Sequence, residues 1–428
     1  MFLERILIED IRSIGRAELE FTQIDAEQTM RKWSLLVGDN GSGKSTALKA
    51  IALVLAGSDA LPHVIGEPGS WVRRGRSTGR ILATLRTAGW EERRVELVIG
   101  ADDLPSDVLR RNVDGLARLD EALRHAAQNY FVVGYGPYRR LSPPSIAPSA
   151  ASARLPLRAQ SMLTLFDRDA SVTPLASWAM ALEYRRGADG LDVVRDAMNA
   201  LLPDISFESI DKARGTLMFS TPDGLLPLEQ ISDGYQNVAA WIGDLLTRVT
   251  DSFAHHNHPL RARGLLLIDE VDAHLHPTWQ RRLREFLDTT LPNFQIVATT
   301  HSALTLQQSH EGEAVILKRG EAGDVTAQPF PGDPSKLRLH QIYDMAFGIT
   351  SLDSWEIEQS KQQYRELTQR AETLSPEETR TLEDVRRTLE QLPADPAPAL
   401  GNESLDAFFR KLDRATETIS GQIGRGRE

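Results

Sequence analysis

Residues Gly38-Asp39-Asn40-Gly41-Ser42-Gly43-Lys44-Ser45-Thr46 follow an apolar run, Trp33-Ser34-Leu35-Leu36-Val37, and precede a helical stretch from Ala47 to Leu55. This is the pattern G-x-x-x-x-G-K-[ST] between a strand and a helix, and it constrains the chain more than any other feature. Glycines let successive backbone N–H groups turn inward, and the helix N-terminus adds its positive end, so the loop is suited to cradling phosphates. Gly38, Asn40, Gly41, Ser42, Gly43, Lys44, Ser45 and Thr46 are therefore the expected residues around a nucleotide's phosphates. Lys44 is placed to reach the β- and γ-phosphates, and the Ser45 hydroxyl to ligate Mg²⁺.

A second apolar strand, Gly264-Leu265-Leu266-Leu267-Ile268, ends in Asp269-Glu270. In a parallel sheet, a carboxylate at the C-terminal end of a strand faces the same crevice as the phosphate loop. Alone, two acids closing a strand are as readily a turn. With the phosphate loop upstream, Asp269 is expected to support Mg²⁺ and Glu270 to polarise an attacking water as general base.

Around these two segments the chain alternates strands with helices, which predicts an α/β P-loop NTPase with a largely parallel sheet. Strand signals fall at 5–8, 17–21, 80–86, 93–99, 130–133, 206–210, 215–219, 294–299 and 314–318, and helical periodicity at 105–127, 174–203, from about 233, and at 277–290. Residues 141–159, rich in Pro, Ser and Ala, read as an exposed loop. Residues 1–334 form the expected ATPase domain, with a helical insertion at about 100–230, and 335–428 a helical C-terminal extension. Ser375-Pro376-Glu377-Glu378 is a capping box with Pro at the first helical position, so a helix restarts there and 354–391 reads as a helical hairpin. A linker at 393–398 and an amphipathic helix at 403–419 complete the chain.

Forty-nine basic against 60 acidic residues give a net charge of −11, which argues against a polyanion binder held by global charge. A local basic excess remains. Arg73, Arg74, Arg76, Arg80, Arg86, Arg93 and Arg94 stand against three glutamates in 71–100, and Arg139, Arg140, Arg154 and Arg158 against no acid in 131–166. Such a face suits DNA, an acidic partner or plain solvent. Arg73, Arg74, Arg76 and Arg139 are the candidates for nucleic acid, and Arg139 is the one most expected to act beyond the surface.

The absence of cysteine excludes disulfides, Cys-ligated zinc, Fe–S clusters and thiol catalysis. His255-His256-Asn257-His258 and the pair His274 and His276 read as loop residues in preference to metal ligands, and Asp167-Arg168-Asp169 as a solvated loop. No run approaches the ~20 apolar residues of a membrane span, and acids occupy the N-terminus where a signal peptide needs an apolar stretch. A soluble cytoplasmic protein is expected.

Leu228-Glu229-Gln230-Ile231-Ser232-Asp233-Gly234-Tyr235-Gln236 resembles the signature of ABC-type ATPases and lies between the two Walker motifs, in the order that class requires. Alone, Ser232-Asp233 is equally an ordinary helix N-cap. Thr299-Thr300-His301-Ser302 resembles the switch histidine. Leu7-x-x-x-Asp10-Ile11-Arg12-Ser13-Ile14 and the run from Asp269 to Gln280 are similar to those of stand-alone AAA ATPases of anti-phage systems such as Septu, PARIS and OLD, within the RecF and SMC-head branch.

The resemblance implies a nucleotide-sandwich homodimer, with Ser232 and Gly234 of one copy on the γ-phosphate of ATP held by the other, and His301 sensing that phosphate and helping to position the water. No nuclease motif is present, so it further implies a separate effector, a nuclease, in anti-phage defence. Two alternatives belong to the same resemblance: a RecF-like repair ATPase that binds DNA directly, and an ATP-locked scaffold with negligible turnover. The pattern departs at Ala273-His274-Leu275-His276, where many ABC proteins have Asp, and Gln128 and Gln160 are both open as the Q-loop residue. No sustained heptads support an SMC-type coiled-coil tether.

Overall fold

The computed structural model describes residues 1–22, 30–87, 90–126, 130–138, 154–170, 172, 175–202, 205–231, 233–253, 259–320, 324–349, 351–370 and 374–392. Ser232, Arg139, Arg140, Gln128, the His255–His258 run and the helix expected at 403–419 lie outside the described residues. The chain divides into Met1–Thr350 and Ser351–Glu428.

The first unit opens with a four-stranded antiparallel sheet in the order β2-β1-β4-β5, made of β1 (Phe2–Ile11), β2 (Ile14–Glu20), β4 (Thr78–Arg86) and β5 (Glu92–Gly100). A tight turn at Arg12-Ser13 joins the first two strands, so they pair antiparallel, Ile11 opposite Ile14. The central sheet runs β13-β12-β3-β11-β10-β6, from β13 (Val325–Pro329), β12 (Ala314–Arg319), β3 (Trp33–Val37), β11 (Phe294–Thr299), β10 (Arg263–Ile268) and β6 (Tyr130–Tyr135). All its neighbours pair in parallel except the β12–β13 hairpin. Together with the phosphate loop between β3 and its helix, this is the expected α/β fold. A small third sheet, β7-β8-β9, comprises β7 (Ser206–Asp211), β8 (Thr216–Thr221) and β9 (Gly224–Pro227).

Strands β3, β10 and β11 are buried along almost their whole length because both faces of the sheet are covered. Alternate side chains serve opposite cores. Leu266, Ile268, Leu35 and Val37 enter one cluster with Trp241 and Leu245. That face carries α6 (Leu175–Arg186), α7 (Ala188–Leu201), α8 (Asp233–Ser252) and α9 (Pro277–Thr290). Leu265, Leu267 and Leu36 enter the other cluster, beneath α1 (Lys44–Val54), α2 (Gly57–Val64), α4 (Val113–Ala126), α5 (Leu157–Phe166) and the antiparallel sheet. Buried Gln295 of β11 joins the two sheets, donating to the Leu3 carbonyl at 2.8 Å and accepting the Leu3 N–H at 3.0 Å.

Two long helical expectations are each divided. The 105–127 stretch breaks at Asn112 into α3 (Pro105–Arg111) and α4, because the Asn112 side chain bonds the Val98 backbone at 2.8 Å through both its oxygen and its nitrogen. The 174–203 stretch breaks at Gly187, which adopts φ 60° between α6 and α7. The segment expected as a helical insertion thus also contributes β6 to the central sheet and the whole β7–β9 sheet.

After β11 come α10 (Ala303–Leu306) and α11 (Leu339–Phe347), whose Ile342 and Ala346 are buried. The unit boundary consequently falls after Thr350, where the sequence suggested 334. The second unit pairs α12 (Trp355–Gln369) with α13 (Pro376–Glu390) as a helical hairpin. The capping box is present: Ser375 N–H donates to Glu378 Oε2 at 2.8 Å, and Glu378 N–H to Ser375 Oγ at 3.2 Å.

Candidate nucleotide site

The phosphate loop leaves the C-terminal end of β3 with Gly38, Gly41 and Gly43 at φ 137°, 75° and 92°. At Gly38 a Cβ would lie 2.2 Å from the Leu317 carbonyl oxygen, so only glycine fits. Lys44 curls over the loop, its Nζ donating to the carbonyls of Gly38 at 2.7 Å and Asp39 at 2.9 Å. Burial lowers the Lys44 pKa, against the opposing pull of Asp269, Asp39, Glu270 and Asp272. The Ser42 hydroxyl is buried without a hydrogen-bond partner. A buried hydroxyl left unpaired costs about 1–3 kcal/mol, and a phosphate oxygen is the chemistry that would satisfy it. The loop therefore fits a polyphosphate.

Asp269 follows β10 and is 2% exposed. Its N–H donates to the Tyr135 carbonyl at 2.8 Å, and its Oδ1 accepts the Thr299 hydroxyl at 2.7 Å. The same hydroxyl accepts the Glu270 N–H at 2.7 Å. Glu270 itself sits at φ 49°, a left-handed conformation uncommon outside glycine. Further along, Thr300 donates its hydroxyl to Asp272, and Ser302 donates to Gln280 Oε1 at 2.6 Å. Gln280 in turn donates to the Leu275 carbonyl at 3.0 Å.

Thr300 and Ser302, on either side of His301, are thus fastened to the chain that follows β10. Partial burial first, and Lys44 second, lower the His301 pKa, while Glu270, Asp272 and Asp269 oppose the shift. Lys44 and His301 respond to the same three acids, so the residues predicted from two Walker motifs and the switch share one electrostatic neighbourhood. Thr299 lies within the motif that resembles the switch, and its value lies in pairing with Asp269 and Glu270 on the neighbouring strand's end.

Gly234 lies in the first turn of α8. The neighbouring Tyr235 ring meets Trp279 edge-on at 5.6 Å, and Gln236 Nε2 donates to the Ile231 carbonyl at 2.8 Å. Lower on α8, fully buried Asp244 accepts the Tyr135 hydroxyl at 2.8 Å and Arg248 Nε at 2.5 Å. Burial, reinforced by Asp244, pushes the Tyr135 hydroxyl pKa well up. Tyr135 therefore holds Asp269 with its backbone and α8 with its side chain, a role no local motif announced. Of the two glutamines left open, Gln160 lies on α5 and donates to the Leu155 carbonyl at 2.8 Å.

Described arginines of 71–100 lie beside acids of neighbouring strands. Arg73 pairs with Asp324, Arg76 with Asp10 at 3.3 Å, and Arg80 with Glu9 at 3.1 Å and Glu96 at 2.5 Å. Arg86 pairs with Glu4 and Glu92, Arg93 with Glu91, and Arg94 with Glu92. A count confined to 71–100 misses the acids that β1 and β13 bring alongside. Arg74 is exposed. Among the described residues no group of three or more His, Asp or Glu side chains is arranged to hold a metal, which covers His274 and His276. Asp167 and Asp169 form an exposed turn. Among the described residues no helix is long and apolar enough to cross a membrane.

Residues 163–307 match a family described as "AAA domain, putative AbiEii toxin, Type IV TA system", and residues 5–73 match a second AAA-domain family. The chain is 26% identical over 323 residues to Septu protein PtuA of Bacillus mycoides (strain KBAB4), covering 75% of this chain and 41% of that protein. It is 33% identical over 138 residues to the Retron Ec83 probable ATPase of Escherichia coli, covering 32% of this chain and 26% of that one. The chain thus spans less than half the length of either relative. An SmcHead bound to the C-winged helix domain of ScpA overlays at a TM-score of 0.45 with 13% identity, over 77% of this chain and 97% of that one. In motif order and over these two AAA-domain matches, the chain is similar to the ATPases of anti-phage systems.

Proposed function

We propose that the chain binds ATP with Mg²⁺ and hydrolyses it in a cytoplasmic nucleotide-sandwich homodimer, and that this cycle governs a separate effector, a nuclease, in anti-phage defence. The observation that carries the reading is the convergence of Lys44, Asp269, Glu270 and His301 on a phosphate loop whose buried Ser42 hydroxyl lacks a partner.

The loop amides and Lys44 hold the triphosphate tail, with the lysine exchanging its two carbonyl bonds for phosphate oxygens. Ser45 and Asp269 would hold Mg²⁺: a hydroxyl and a carboxylate are the hard oxygen donors this ion takes, with phosphate and water completing its shell. The ion, when bound, neutralises charge on the phosphate oxygens. Glu270 accepts the proton of the attacking water, and His301 holds that water and the γ-phosphate from the rim. Ser232 and Gly234 of a second copy close the site over the γ-phosphate, where the N-terminus of α8 favours negative charge.

The ion pairing of Arg73, Arg76, Arg80 and Arg86 favours the effector reading over direct DNA binding. The test is Mg²⁺-dependent phosphate release by the wild type and by Glu270→Gln, with the mass of each in ATP measured by light scattering. Turnover lost in Glu270→Gln while an ATP-dependent dimer persists supports the reading. Equal turnover in both proteins contradicts it.

A further inference from the structure

Strand β12 passes directly under the phosphate loop, with the Leu317 carbonyl filling the space where a Gly38 side chain would stand. Two residues on, Arg319 reaches back to the loop tip and donates from Nη2 to the Gly41 carbonyl at 2.8 Å. The strand end that carries it is pinned from elsewhere. Gly320 N–H donates to the Asp324 carbonyl at 2.7 Å, closing the hairpin onto β13. The Asp324 carboxylate is ion-paired with Arg73, and both lie against Gly15 of β2, where a Cβ would be 2.4 Å from Arg73 Nη1 and 2.7 Å from Asp324 Oδ1. The N-terminal sheet thereby fixes the hairpin whose arginine touches the phosphate loop.

A peptide group is planar and trans, so its C=O and N–H point opposite ways. Drawing the Gly41 carbonyl outward turns the Ser42 N–H inward, where it donates to the Asp39 carbonyl at 3.2 Å. Gly41, at φ 75°, has no side chain to restrain that peptide. Arg319 is exposed and lies outside the core, and its guanidinium acts on the peptide that joins Gly41 to Ser42.

We propose that Arg319 is a positioning residue for the phosphate loop, clamping the Gly41–Ser42 peptide from outside so that the loop amides are preorganised for a nucleoside triphosphate. The proposal rests on the ATP reading above and adds to it a residue that neither Walker motif contains.

The test uses the full chain as wild type, Arg319→Ala, Arg319→Lys and the neighbouring exposed Lys318→Ala. It combines equilibrium binding of MANT-ATP, KM and kcat for ATP, melting temperature, and amide hydrogen exchange over 38–44 without nucleotide. Arg319→Ala is expected to weaken MANT-ATP and raise KM about tenfold, as for the loss of one charge-assisted hydrogen bond. Its kcat stays within about twofold, its melting temperature is unchanged, and loop exchange quickens about tenfold. Arg319→Lys restores part of each effect, since one ammonium replaces the fork, and Lys318→Ala changes none. Binding and exchange in Arg319→Ala within about twofold of wild type overturn the proposal. Were the wild type to bind no MANT-ATP, the ATP reading would fall, and the nucleotide-free exchange would decide the clamp by itself.

Discussion

The side-chain hydroxyl of Thr299 donates to Asp269 Oδ1 at 2.7 Å, and the same oxygen accepts the backbone N–H of Glu270 at 2.7 Å. One hydroxyl thus orients the buried carboxylate and fixes the left-handed turn that aims its neighbour. Thr299→Val keeps the shape but leaves a buried donor and a buried carboxylate oxygen short of a partner, which costs about 1–3 kcal/mol. Urea unfolding should show that loss, and kcat for ATP should fall at least about tenfold because both acids are misplaced. Thr299→Ser should recover most of each.

Tyr135 and Asp244 predict a different response. Tyr135→Phe removes the hydroxyl that Asp244 accepts at 2.8 Å while keeping the ring against Trp241. A loss of about 1–2 kcal/mol in urea unfolding is expected. Asp244→Ala should cost more, because the largely buried Arg248 guanidinium loses its counter-charge. Equal stability of Asp244→Ala and wild type would contradict that assignment.

His301 should titrate below the ordinary imidazole value of 6.5. With the folded pKa depressed, the unfolded chain takes up the proton first as pH falls below 6.5, so this group's contribution to stability is present above 6.5 and lost on acidification. Proton NMR of the His301 ring gives the value directly. Lys44→Ala removes a nearby positive charge and should raise it toward, though not to, the ordinary value, since burial remains.

Duplex DNA should not stimulate ATP turnover at about 0.15 M salt, where only desolvated or multiple phosphate contacts survive screening. Arg73 is committed to Asp324, and Arg76 and Arg80 to acids on β1 and β5. Saturable stimulation by DNA that vanishes in a double variant, Arg73→Glu with Arg74→Glu, would restore the direct DNA reading.

What was legible in the sequence is what is local. The phosphate loop declares itself because Gly38, Gly43 and Lys44 act through backbone geometry within a few residues of one another. β10 declares itself because a strand covered on both faces reads as a continuous apolar run, Gly264 to Ile268. The capping box at Ser375 is likewise contained within four residues. The long-range partners were not legible. Nothing near Arg73 in sequence indicates that Asp324, brought in by the β12–β13 hairpin, neutralises it. Tyr135 looks like the end of a strand until α8 sets Asp244 against it. Asn112 hides a helix break, because its side chain answers a backbone partner, Val98, on a neighbouring strand.

The central claim is that each ATP site is completed by a second copy, and mixing two separately disabled chains tests it most directly. Lys44→Ala removes the triphosphate contact and leaves the signature; Ser232→Arg blocks the signature and leaves the Walker residues. Each variant alone should be inactive. Mixed in equal amounts, half of the dimers would be hybrids carrying one intact composite site, so about a quarter of wild-type turnover should return. A mixture as inactive as its components, with Ser232→Arg still binding ATP, would show that the second copy does not complete the site.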